Sequence, residues 1–317
     1  MMTRTWIKFL TVTLINTILL AGMLTGCTQK TSIEEESSEE ITSEFTDQLD
    51  RKVTLNELPE RIISLSPSNT EIIYALGLED KLIAVTKYCN YPATAKDKAN
   101  IGGFSTPNIE EIIALSPDLI LATSIHEEKI IPQLEEQGMT VFGLNPTTMD
   151  EVITSIIMVG EITGKEKEAA EITSDMQKRI KAVTDKTEGL TEEQNPRVCY
   201  LVWHDPLTSA GSETLQNELI KNAGGINISE DLSDYAKISL ENLIVANPQV
   251  IIAGMGMGSG EDLPLQFVND ESRLKDIDAR INNNVYGVDL DITGRPGPRI
   301  VDALEEFARF IHPELFE

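Results

Sequence analysis

Residues 109–122 read IEEIIALSPDLILA, and residues 240–253 read LENLIVANPQVIIA. Aligned, the two share an apolar first residue, a glutamate (Glu110 and Glu241), an apolar helical stretch, a proline (Pro117 and Pro248) and an apolar strand ending in alanine. Each reads as one helix–turn–strand unit. Asn108 and Ser239 stand at the N-cap, where a side-chain oxygen takes a backbone N–H that the first turn cannot satisfy internally. Glu111, three residues after Asn108, adds a capping-box pattern. Apolar residues at 109, 112 and 113, and at 240, 243 and 244, share one helix face. Proline has no N–H and disfavours helical geometry in the residue before it, so Pro117 and Pro248 stop each helix. LILA and VIIA are apolar without alternation, as expected of parallel strands covered on both faces.

Outward from these units, strands and helices alternate along the chain, which predicts α/β architecture with parallel sheets. One lobe is expected over 59–148, with strands at 61–65, 82–86 and 140–144 beside the first unit. A second lobe is expected over 191–317, with strands at 197–203 and 285–288 and a last helix at 300–311. Between them, 149–190 reads as helical: 149–162, then a longer helix at 165–188 with a sparse apolar stripe at Ala169, Ile172, Met176, Ile180 and Val183. At ~1.5 Å per residue that helix spans on the order of 35 Å, enough to join one lobe to the other.

The N-terminus is of another kind. Arg4 and Lys8 precede an apolar run at 9–24, and Leu24-Thr25-Gly26-Cys27 closes it, so 1–26 reads as a signal peptide, with an uncleaved membrane anchor as the alternative. The closing tetrad resembles the lipobox of bacterial lipoproteins, which implies that Cys27 carries a lipid and tethers the chain to the outer side of a membrane. Residues 27–58 are rich in Glu and Asp and read as a solvated, disordered tether. The net charge of −26 excludes a nucleic-acid binder that needs a basic face. Cys89 and Cys199, in different lobes, are expected to be free thiols.

Catalytic and metal chemistry find little support. GMGMGSG at 254–260 fails the dinucleotide spacing, because the third glycine would fall at Ser259 or Glu261, and Leu263-Pro264 leaves no prompt helix; the stretch reads as a loop. His126, His204 and His312 lack partner spacing, so neither a metal site nor a cofactor is expected. His312 reads as a helix-dipole or surface residue, and only His204 is placed near a cleft. Tyr88, Tyr91, Phe104 and Trp203 fall in loops or at strand ends, where open parallel sheets bind ligands and flat rings pack on a flat, partly apolar one. Arg295 and Arg299 flank Pro296-Gly297-Pro298 before the last helix; they suit an anion, or salt bridges to the acidic surface. Glu110 and Glu241 each offset a helix dipole, but their recurrence also makes a docking pair for a two-fold partner with basic pockets.

With the lipobox, the duplicated unit, the aromatic loops and the segment GRPGPRIVDAL in hand, the chain from Arg61 onward resembles the solute-binding proteins of bacterial ABC importers for cobalamin and ferric siderophores. LSPSNTEIIYALG and NIEEIIALSPDLIL carry the resemblance further. It implies two Rossmann-like lobes with central parallel sheets joined by a single long backbone helix, and a monomer. It implies that Tyr88, Phe104, Trp203, Asp291 and Arg295 line the cleft, and that Glu110 and Glu241 pair with arginines on the ABC permease dimer. Thr123 stands where one cobalamin receptor of the family has an aromatic. The expectation is a non-catalytic receptor for a corrinoid, with a ferric siderophore or haem as the alternative ligand. Two rival functions are a chelatase-like enzyme on the same scaffold and an anchored adhesion or signalling module.

Overall fold

The computed structural model describes residues 43–256 and 262–316. An antiparallel hairpin comes first, β1 (Ser43–Thr46) and β2 (Lys52–Leu55). The N-terminal lobe follows as β3 (Ile62–Ser64), α1 (Pro67–Ala75), β4 (Leu82–Val85), β5 (Ala99–Asn100), α2 (Ile109–Ala114), β6 (Leu119–Thr123), α3 (Ile130–Glu135) and β7 (Val141–Leu144). Its strands lie in the order β5-β4-β3-β6-β7, all parallel. Then come α4 (Met149–Thr163) and α5 (Glu166–Thr187). The C-terminal lobe holds β8 (Arg197–His204), β9 (Leu207–Ala210), α6 (Leu215–Asn222), β10 (Ile226–Asn227), β11 (Tyr235–Lys237), α7 (Leu240–Ala246), β12 (Val250–Met255), α8 (Leu263–Asp270), α9 (Asp278–Ile281), β13 (Val285–Asp289), α10 (Leu290–Thr293) and α11 (Ile300–Ile311). Its sheet runs β11-β9-β8-β12-β13, with β10 beside β8 and β9 antiparallel to its neighbours.

The two copies of the repeated unit occupy equivalent places. β6 lies parallel between β3 and β7, and β12 lies parallel between β8 and β13. Both helices are capped as expected: Asn108 Oδ1 accepts from Glu111 N at 3.3 Å, and Ser239 Oγ from Asn242 N at 3.0 Å. The reciprocal half of the capping box is not made, because the Asn108 N–H already donates to Ile101 O at 2.7 Å. Each unit turns into its proline through a left-handed residue, Ser116 at φ 47° and Asn247 at φ 43°.

The core explains why the lobes act together. One face of each sheet has its own apolar cluster, under α2 and α3 in the N-terminal lobe and under α7, α8 and α9 in the C-terminal lobe. The other faces share a single cluster that runs from Leu119 and Phe142 through α4 and α5 to Tyr200, Val250 and Phe307. Because each fully buried large apolar side chain contributes about 1.5–3 kcal/mol, a cluster common to both lobes resists their separation. α5 continues into the C-terminal lobe: the Thr187 hydroxyl donates to Asn222 O at 3.0 Å and the Lys186 ammonium to Leu315 O at 2.7 Å. α4 packs against it so closely that a Cβ on Gly160 would sit 2.6 Å from the Ala169 methyl.

The structure departs from the sequence reading at four places. A hairpin over residues 43–55 stands inside the stretch read as a tether, because Val53 and Leu55 alternate with polar residues and are buried against the lobe. Asp47, counted among the tether's acids, is only 3% exposed; its carboxylate accepts from Gly143 N at 2.8 Å and from Arg51. Leu263-Pro264 opens α8 rather than preventing it, since proline suits the first turn of a helix. His312 is buried at the end of α11, where Nε2 donates to Gly224 O at 3.0 Å. Gly254 and Gly256 are described, in β12 and just after it, whereas the rest of the glycine-rich stretch at 257–261 lies outside the described residues, as do Cys27 and the signal peptide.

Candidate functional site: the interlobe seam

Both sheets present their carboxyl edges through loops, and local chemistry fixes those loops. After β3, Ser66 caps α1 by accepting from Asn69 N at 3.2 Å, and Asn69 Nδ2 donates across to Ala122 O at 3.0 Å, tying α1 to the end of β6. This leaves Glu71 on the inner side of α1, with its side chain only 2% exposed. After β4, the Cys89 thiol is buried between the Thr70 and Thr86 hydroxyls at 3.1 and 3.3 Å. Burying Cys89 turns its neighbours outward, so Tyr88 and Tyr91 are 51% and 48% exposed.

Phe104 is positioned by His126. The imidazole Nδ1 accepts from Thr123 N at 3.0 Å, so Nε2 carries the proton and donates to Phe104 O at 2.7 Å, with the two rings edge to face. Burial holds His126 below the usual histidine range, which keeps it neutral and suited to this role. On the C-terminal lobe, Trp203 lies one residue before the end of β8 and donates its indole N–H to Asp205 O at 2.8 Å. His204 packs against Trp203 and Phe267 and has no partner for Nδ1 among the described residues.

The lobes meet where the loop after β13 reaches α1. Asp289 caps α10, and beyond it Asp291, Arg295 and Arg299 point at the N-terminal lobe. Glu71 takes Arg299 through Nε at 2.8 Å and Nη2 at 2.6 Å, and Arg295 through Nη1 at 3.1 Å. Arg295 also donates to Asn90 Oδ1 at 2.6 Å and Tyr88 O at 3.3 Å, and pairs with Asp291 at 2.6 Å. Asn90 Nδ2 in turn donates to Asp291 at 2.8 Å, and the Arg299 guanidinium lies 4.0 Å over the Tyr91 ring. Burial alone would lower the Arg299 pKa, but the bond to Glu71 and the neighbouring negative charge outweigh it, so the guanidinium is raised and stays ionised.

Of the seven residues expected at the cleft, Tyr88, Tyr91, Asp291, Arg295 and Arg299 therefore come together in one interlobe cluster. Phe104 and Trp203 sit at the carboxyl edges of their own lobes, outside that cluster. Sequence reasoning missed Glu71 and Asn90, which hold the cluster together, and Tyr235, which is 49% exposed. The Tyr235 hydroxyl donates to Gln216, whose amide donates to Thr293 O between Asp291 and Arg295, both at 3.0 Å. Its place immediately ahead of the second repeat copy was the one signal for it. Glu110 and Glu241 are exposed in the first turns of α2 and α7. Both helices return the chain from a carboxyl edge to the start of the next parallel strand, so both glutamates lie at the edge that carries the seam.

Burial pushes the Cys199 thiol up to about 12, away from nucleophilic use.

Comparison with known proteins agrees with the fold. Residues 62–291 match the family model described as periplasmic binding protein. The uncharacterized ABC transporter substrate-binding lipoprotein YvrC of Bacillus subtilis strain 168 is 32% identical over 312 residues, covering 95% of this chain and 96% of the relative. A cobalamin-binding protein of Halobacterium salinarum is 30% identical over 266 residues, covering 82% and 71%. Among solved structures, the periplasmic vitamin B12 binding protein BtuF of Vibrio cholerae superposes with a TM-score of 0.69 at 27% identity, covering 80% of this chain and 97% of that one. A possible iron-binding solute-binding protein of Staphylococcus epidermidis gives the same TM-score, 0.69, and the same identity, 27%, covering 81% and 100%. A two-lobed α/β chain with a polar seam, matched by that family model over most of its length, belongs to the periplasmic binding protein family and, like the relatives that show the family, is a substrate-binding protein of the ABC-importer kind, not an enzyme.

Proposed function

We propose that the protein is a lipid-anchored, extracytoplasmic receptor that takes a corrinoid between its lobes and delivers it, unaltered, to an ABC permease dimer. The observation that carries this reading is the composition of the seam: half-exposed aromatic rings beside a cluster of Asn90, Asp291 and Arg295 whose charges are already matched. Ring faces suit a large, partly apolar macrocycle, and the polar groups suit its amide side chains. The cobalamin-binding relatives point the same way.

A ferric siderophore or haem is the second reading. It is favoured by Thr123 at a position where an aromatic is expected for a corrinoid, and by the similarity to a structure described as possibly iron-binding. Calorimetry of the full chain in detergent with cyanocobalamin, haem and a siderophore panel separates the two. Saturable heat with the corrinoid alone is expected, and none with it ends the first reading.

Delivery requires an address and a dock. Cys27 is assigned as the lipid attachment point, so Cys27→Ser should abolish incorporation of labelled fatty acid into the chain. Glu110 and Glu241 are assigned as the paired contacts with basic pockets on the permease.

A further inference from the structure

We infer that Glu71 determines the charge of the ligand this seam accepts, by occupying both arginines so that an uncharged ligand is favoured over an anionic one. The inference deepens the proposed function and rests on the seam being the ligand site.

Arginine recognises carboxylates and phosphates through its planar fork of donors. Here neither fork is free. Arg299 presents Nε and Nη2 to Glu71, and Arg295 divides Nη1 between Glu71 and Asn90 and Nη2 between Tyr88 O and Asp291. The side chains of Arg295, Arg299 and Glu71 are only 11%, 17% and 2% exposed, so water screens these pairs weakly. Glu71 and Asp291 balance Arg295 and Arg299 in charge, and Asp289 adds further negative field at Arg299. An incoming anion would meet no net positive field and would have to displace a buried carboxylate. An amide can exchange bonds with Asn90 and Asp291 without doing so.

Glu71 as a mere interlobe strut would affect stability but not the preference between ligands of different charge. The two roles separate in a titration of the full chain with three probes: cyanocobalamin, a corrin monocarboxylate made by hydrolysing one side-chain amide, and haem. Glu71→Gln should shift the affinity ratio of the monocarboxylate to cyanocobalamin by about tenfold or more toward the acid, and should tighten haem. Glu71→Asp, which keeps the charge, should retain the wild-type ratio. If Glu71→Gln does not fold, Arg299→Gln removes a cation instead and should weaken the monocarboxylate relative to cyanocobalamin. A folded Glu71→Gln that gains for neither anionic probe overturns the inference, as does an Arg299→Gln with an unchanged ratio. A wild type that binds haem and not cyanocobalamin would end the corrinoid reading while leaving Glu71 to be judged on the haem arm alone.

Discussion

The two lobes repeat one scaffold and diverge in what they add to it. α2 with β6 and α7 with β12 share a polar cap, an exposed glutamate in the first turn, a left-handed residue before proline and a place between two parallel neighbours. The seam shares none of this symmetry. The N-terminal lobe contributes Glu71, Asn90 and two outward tyrosines, and the C-terminal lobe contributes Asp291 and two arginines. What is duplicated suits a symmetric partner, and what is unique to each lobe suits an asymmetric ligand.

The sharpest way to break that division is to reverse both duplicated charges. Glu110→Arg with Glu241→Arg should lower uptake by more than about tenfold, because like charges would face each other at the dock, while ligand affinity stays within about twofold. Measuring uptake in cells and affinity on the purified chain separates the two effects. Loss of affinity instead would place the glutamates in the ligand site.

A second test concerns the helices that weld the lobes. Gly160→Val would drive a side chain into Ala169 and the Lys165 carbonyl, where even a Cβ would stand at 2.6 and 3.0 Å. We expect a loss of about 1–3 kcal/mol in urea unfolding, as for other overpacked cores, in one transition shared by both lobes. Two resolved transitions would mean that the lobes are not held by a common core.

The smallest expected effect is a pH dependence at the junction of α4 with the C-terminal lobe. Burial raises the Glu218 carboxyl above its ordinary value of 4.5, partly opposed by the bond it accepts from Met149 N at 2.7 Å. The folded state therefore holds this proton more tightly than the unfolded one. Its contribution to stability is present at low pH and is lost as pH rises from 4.5 through the folded value. Glu218→Gln should flatten that part of the stability profile.

The scaffold was legible because its signals are local. Caps, prolines and unbroken apolar strands lie within a few residues of what they determine, and the repeat confirmed each reading by a second copy. The seam was only half legible. Tyr88, Tyr91, Asp291, Arg295 and Arg299 were found from their loops, but sequence left the arginines divided between free anion binders and surface ion pairs. Their partner, Glu71, stands 224 and 228 residues away in the other lobe and looks in sequence like any early helix residue. The hairpin at Ser43 was hidden for the opposite reason: the acidic composition of the segment masked the alternation of Val53 and Leu55.

The central claim is that this seam holds a corrinoid without changing it. Its most direct test is the visible absorption spectrum of the full chain purified from cells grown with cobalamin. Corrin bands in about one-to-one ratio with protein, belonging to intact cobalamin on release, are the expected result. Protein that takes up no corrin under saturating supply, or releases a modified one, would contradict the account.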